Sequence, residues 1–152
     1  MRRIKAILIA MLAVMAVGAV GASAASAGTI SGHISASAWL GEEDCDFLID
    51  YTGGPPPATL TLKGDTFRGD PASDNPCSNE DLEISDITVN FSGSTATLGS
   101  FTISKSVCTF SVPSGTTLTD GGGGVYAGGG TASGSPNWLC GSATVNLSNV
   151  QF

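Results

Sequence analysis

Residues 44–51 read DCDFLIDY, and residues 107–112, VCTFSV, echo their centre. In the first stretch Cys45, Phe47, Ile49 and Tyr51 fall on one side of an extended chain. Asp44, Asp46, Leu48 and Asp50 fall on the other, the two-residue period of a strand with one buried face. In the second, Cys108, Phe110 and Val112 alternate in the same way. Both read Cys-x-Phe-x-(Ile/Val).

The echo has a fixed spacing. Cys45 and Cys108 are 63 residues apart, and so are Cys77 and Cys140. At equal offsets beyond the second cysteine of each set, Leu82, Ile84, Ser85, Asp86 and Ile87 match Val145, Leu147, Ser148, Asn149 and Val150. Upstream, Ile30-Ser31-Gly32 resembles Phe91-Ser92-Gly93 with a two-residue slip. The expectation is a tandem duplication, about 29–90 and 91–152. Its period exceeds that of most solenoid repeats, so the two copies should share one core.

Outward from these strands the chain keeps the same character. Gly, Ser and Thr dominate, and apolar residues alternate rather than recurring at three and four, which argues against helix. Residues 58–63 alternate Leu60 and Leu62 with threonines. The turn before them carries Gly53-Gly54-Pro55-Pro56-Pro57, whose prolines cannot donate to a ladder. Further strands are expected near 29–39, 95–104, 107–112 and 143–151. In 82–91 the apolar phase changes, from Leu82 and Ile84 to Ile87, Val89 and Phe91. A β-bulge at Ser85-Asp86 would bury both sets, and the same shift recurs at Ser148-Asn149. Many short strands between turn signals predict an all-β, antiparallel sandwich or barrel. The glycine tract 120–130, DGGGGVYAGGG, is expected to be loose, because glycine loses most entropy on ordering.

The N-terminal stretch is of another kind. Arg2, Arg3 and Lys5 precede an apolar run from Ile7 to Val20, and small-x-small sites follow at Ala22-Ser23-Ala24 and Ala25-Ser26-Ala27. These are the parts of a secretory signal peptide, 1–27, cleaved after Ala27. The run is short for a span of about 20 residues, and no basic flank stops it. Residues 28–152 are then a single exported β-domain with no membrane span.

Export sets the reading of the four cysteines, Cys45, Cys77, Cys108 and Cys140. An even count in a small exported domain predicts two disulfides, and the wide spacing argues against zinc. Three pairings are open. Cys45–Cys77 with Cys108–Cys140 is favoured, since each bridge then stays inside one repeat.

Loss of the leader removes three of the six basic residues and none of the 13 acidic ones, leaving three against 13, a formal −10. So acidic a domain repels phosphate backbones, and nucleic acid is not an expected partner. Twelve of the 13 carboxylates lie in 29–90 and only Asp120 in 91–152. If both halves share a fold, the acid is a surface property of one of them. Two clusters, Glu42, Glu43, Asp44 and Asp46, and Asp70, Asp74, Glu80 and Asp81, could offer oxygens to low-affinity calcium. The alternative is a solvated acidic face, and no other cofactor is expected.

Catalysis finds little support. His33 is the only histidine, it falls in a predicted strand, and no G-x-S-x-G elbow accompanies it. A glycosidase pair would need an aromatic sugar cleft as well. No catalytic residues are assigned. Trp138, beside Pro136 and Asn137, either packs near Cys140 or serves as an exposed binding anchor.

The leader, the Cys-x-Phe-x-(Ile/Val) strands, the Gly/Thr/Ser-rich middle and the closing Cys140-Gly141-Ser142 resemble a loose group of exported bacterial β-proteins. Some are described as activators of alkane oxidation and are linked with cell surface, biofilm or emulsified hydrocarbon. That resemblance implies a non-enzymatic surface role and carries over no functional residue. The expected function is a secreted or cell-surface binding, matrix or surface-active module. Its partner would be a cell-surface component, a polysaccharide, a hydrophobic interface or another protein. The alternative is a secreted inhibitor or toxin-like effector, with the 53–57 turn or the 70–81 loop presenting the contact. A small secreted hydrolase is the third reading.

Overall fold

A computed structural model of the chain describes residues 26–38, 41–53, 59–78 and 82–152. The leader's basic and apolar parts lie outside them, as do Trp39, Glu80 and Asp81. Among the described residues there are eleven strand segments, β1 (Ser26–Ala38), β2 (Gly41–Gly53), β3 (Leu60–Gly69), β4 (Leu82–Ile84), β5 (Ile87–Ser92), β6 (Thr95–Leu98), β7 (Phe101–Lys105), β8 (Cys108–Val112), β9 (Thr116–Asp120), β10 (Val125–Ser135) and β11 (Ser142–Gln151), with one short helix, α1 (Asn137–Cys140). The expected cleavage after Ala27 would trim only the first two residues of β1, which pair with Gly53 and Thr52 at one end of the sheet.

The sheet closes into an eight-stranded antiparallel barrel. Three of its members are bent and so count as two segments each. β4 and β5 form one strand broken at Ser85-Asp86, β7 and β6 form its partner, and β8 and β9 form the next. The order round the barrel is then the order along the chain, and β11 closes it by pairing with both β10 and β1. Closure through β10, β11 and β1 covers most strand edges, while among the described residues β4 ladders with β7 and not with β3. Residues 29–90 and 91–152 hold four of these strands each, apart from the last two residues of β5.

Alternation decides what lies inside. Ile30 and Ile34 of β1, Cys45, Phe47 and Ile49 of β2, and Leu60 and Leu62 of β3 are buried. Val89, Leu98, Phe110, Leu118 and Val145 continue the core round the ring. Outward positions of β1 and β2 carry Thr29, Ser31, His33, Ser35, Asp44, Asp46 and Asp50. The barrel is therefore apolar within and polar without, the reverse of a membrane-spanning barrel. No helix among the described residues is long and apolar enough to cross a membrane.

Both phase changes read from the sequence are present. At Ser85-Asp86 the strand breaks, and Ile87 and Val89 turn inward while Leu82 and Ile84 stay partly buried. The Asp86 carboxylate holds the break against β3 by accepting from the Gly64 amide at 2.9 Å and from Lys63. At Ser148-Asn149 the β11 register slips against β10, so that two residues oppose Ala127. Asn149 takes a left-handed φ of 52° there, a conformation Asn tolerates better than most.

The expected looseness of the glycine tract is corrected. Only 121–124 form a turn, and Gly128, Gly129 and Gly130 lie within β10. A Cβ on Gly128 would stand 2.1 Å from the Thr117 carbonyl oxygen, and one on Gly129 would stand 2.2 Å from that of Val145. Glycine is used here for close backbone approach rather than for freedom.

Cys45 pairs with Cys77 and Cys108 with Cys140, with Cα separations of 4.9 and 5.7 Å. The first bridge ties β2 to the loop after β3. The second ties the start of β8 to α1. Each closes a loop of 32 residues, worth about 3–4 kcal/mol in the chain-entropy view. Such bridges fit an oxidising compartment.

Candidate binding site at the disulfide-bonded end of the barrel

The two ends of the barrel differ. At one end Phe91, Tyr126 and Phe152 meet edge to face, with ring centroids 5.1–6.0 Å apart. These three rings stop the lumen. The other end carries both disulfides, the 70–78 loop, the β7–β8 turn and α1. There the lumen opens.

The opening is lined by Ile34 and Ala36 from β1, Leu82 from β4, Ile103 from β7, Phe110 from β8, and Ala143 and Val145 from β11. Its cavity volume is roughly 60 Å³. Ile34 is also part of the wall of the tightly filled space below, which reaches down to Phe152. Small side chains cause the opening: Ala36, Ala38 and Ala143 stand where larger residues would fill a barrel of this size, which is just wide enough for side chains or one small ligand.

Two charged residues sit at its rim, Glu43 of β2 and Lys105 of β7, and they are ion-paired. Both share the inward phase of their strands, Glu43 with Cys45 and Phe47, Lys105 with Phe101 and Ile103. β3 and β4 stand between β2 and β7 in the ring, so the pair spans the mouth. Grouping 42–46 as one acidic cluster hid this. The signal that would have found it is phase: a charged residue on the inward phase at the end of a strand belongs to a barrel mouth.

The same alternation corrects the calcium expectation at the first cluster. Glu43 turns inward while Glu42, Asp44 and Asp46 turn outward, so the four carboxylates do not converge. Asp44 and Asp46 instead flank His33, whose Nε2 and Nδ1 each lie 2.8 Å from a carboxylate oxygen. An imidazole can donate to both only when both nitrogens carry protons. In the second cluster the Asp70 carboxylate accepts from the Ala72 amide at 2.9 Å, closing its own turn, and Asp74 is exposed. Glu80 and Asp81 lie outside the described residues. No group of three or more His, Cys, Asp or Glu among the described residues is arranged to hold a metal.

Asp46 organises the loop beside this end. Its amide donates to the Asn75 carbonyl at 2.9 Å, and its own carbonyl accepts from the amides of Asp70 at 3.1 Å and Cys77 at 2.9 Å. Its carboxylate accepts from the Ser73 hydroxyl and lies beside His33, and these bonds hold its pKa below the usual 3.8. Ser73 and His33 thus both address Asp46 and not each other, whereas nucleophilic catalysis needs the hydroxyl to face the imidazole.

Trp138 of α1 is 85% exposed, and Val107 of the β7–β8 turn is 68% exposed. Both adjoin the Cys108–Cys140 bridge. Packing near Cys140 does not describe Trp138. The 53–57 turn lies largely outside the described residues. No protein-family model, curated protein or solved structure matches the chain.

Proposed function

We propose that the protein is an exported, non-enzymatic binding module whose site is the apolar mouth at the disulfide-bonded end of the barrel. One observation carries this reading. A closed barrel, stopped at one end by three aromatic rings, opens at the other onto an apolar lining with a single charged pair at its rim. Small-ligand sites are concave and mostly apolar with few polar groups. The ligand would be a small apolar molecule, or the apolar part of a larger one, met at or beyond the cell surface. The duplication belongs to the same proposal: each half supplies four strands, one bridge at an equivalent place, and one bulge 63 residues from its counterpart. The acidic copy keeps the module soluble. The resemblance to alkane-oxidation activators rests on the sequence features alone and points the same way.

The test is titration with an uncharged fluorescent probe whose emission shifts in apolar surroundings. Ala36→Phe should fill the mouth and abolish the shift while the melting temperature holds. A probe that ignores wild type, or binds the variant equally well, would refute the assignment.

The exposed Trp138 and Val107 favour a second reading, an inhibitor or effector that docks on another protein through this same end. Protease and growth-inhibition panels separate it from the first.

A further inference from the structure

Resting on the reading of the mouth as a ligand site, we infer that its ligand is a cationic amphiphile, a primary ammonium on a short apolar tail. Below the rim the lining is apolar, so the tail enters first and the head stays level with Glu43 and Lys105. Their ion pair spans the opening, so an entering ligand has to separate the two. What replaces the lost partner then decides which head group is accepted.

An anionic head would take Lys105 and leave Glu43 beside it unpaired. A neutral head would leave both unpaired. A cationic head takes Glu43 and releases Lys105. That exchange is the easiest of the three, because Lys105 has the longer stem and the more exposed side chain, 44% against 34% for Glu43. A lysine ammonium on a flexible four-carbon stem moves into water readily, while the shorter glutamate stays at the rim.

The surrounding charge favours the same choice. Glu42 and Asp44 adjoin Glu43 along β2 and Glu83 of β4 stands opposite Ser104 beside Lys105, all three on the outer wall of this end, with Asp44 beside His33. Lys105 is the only lysine or arginine in residues 91–152. Carboxylates on the outer wall beside the mouth draw cations toward it and repel anions at long range, with a dependence on ionic strength.

The experiment is calorimetric titration of the protein with hexylammonium, hexanoate and hexanol, three heads on one tail. The variants are Glu43→Gln and Lys105→Met, each checked by a thermal melt. Hexylammonium should bind tightest and weaken with added salt. Glu43→Gln should weaken it by about tenfold, the scale of one charge-assisted contact, and Lys105→Met should tighten it. Hexanol or hexanoate binding as tightly as hexylammonium would overturn the head-group assignment and leave the apolar mouth standing, as would Glu43→Gln without effect on hexylammonium. If none of the three binds, the mouth itself is not a ligand site and the inference falls with it.

Discussion

Asp46 is bonded through both its backbone and its carboxylate at the disulfide-bonded end. It holds the 70–78 loop through its backbone, and Ser73 and His33 through its carboxylate. Asp50, bonded by Thr29 and Arg68, and Asp86, bonded by Lys63 and the Gly64 amide, are likewise held below the ordinary carboxyl range. A carboxylate with a depressed folded pKa contributes stability that is fully present above its unfolded value, and that contribution is lost as the pH falls through the folded pKa. Stability should therefore be level from neutral pH down to about pH 5 and fall progressively below the ordinary value of 3.8. Melting curves between pH 7 and pH 2 check this. Asp46→Asn should lower the melting temperature by a few degrees at pH 7 and shrink the difference between pH 7 and pH 2. Equal losses for variant and wild type would remove Asp46 from the explanation.

Among the elements, β10 shows how glycine can be required without being flexible. Its register brings the backbone at Gly128 against Thr117 and at Gly129 against Val145, too close for any Cβ. Gly128→Ala would have to push β9 away, an overpacking cost of about 1–3 kcal/mol. Gly121→Ala is the control, since a Cβ there meets nothing closer than 3.8 Å. Urea unfolding should separate the two, with a clear drop in midpoint for the first and little change for the second. Similar midpoints would mean that β10 relaxes freely. The bends at Ser85-Asp86 and Ser148-Asn149 were legible because alternation changed phase there. The close approach at β10 was not, because a glycine in the sequence looks the same whether it bends a loop or admits a neighbouring backbone.

Across the whole molecule, stability comes from one lumen filled from both halves, stapled twice at its open end. Replacing Cys108 and Cys140 together by Ala should cost about 3–4 kcal/mol, the loop-closure scale for one such bridge. It should also loosen α1, which packs against β8 and β10 at this end. Denaturant unfolding of the double variant measures the first effect. Widened or weakened probe binding at temperatures where it remains folded measures the second. A double variant with wild-type stability would show that barrel closure alone fixes this end.

The amino-acid sequence by itself determined the strand faces, the two bends and the loading of acid on one half, and it favoured one of three disulfide pairings. Each is a local property, set by alternation, by chain spacing or by composition. Only the tertiary structure decided that the sheet closes into a barrel, and that Glu43 of β2 meets Lys105 of β7 across its mouth. It also decided that Asp44 and Asp46 flank His33. These pairings join residues 62, 11 and 13 positions apart. Such partners are fixed by strand order and register, which follow from how the whole ring closes and not from any one segment.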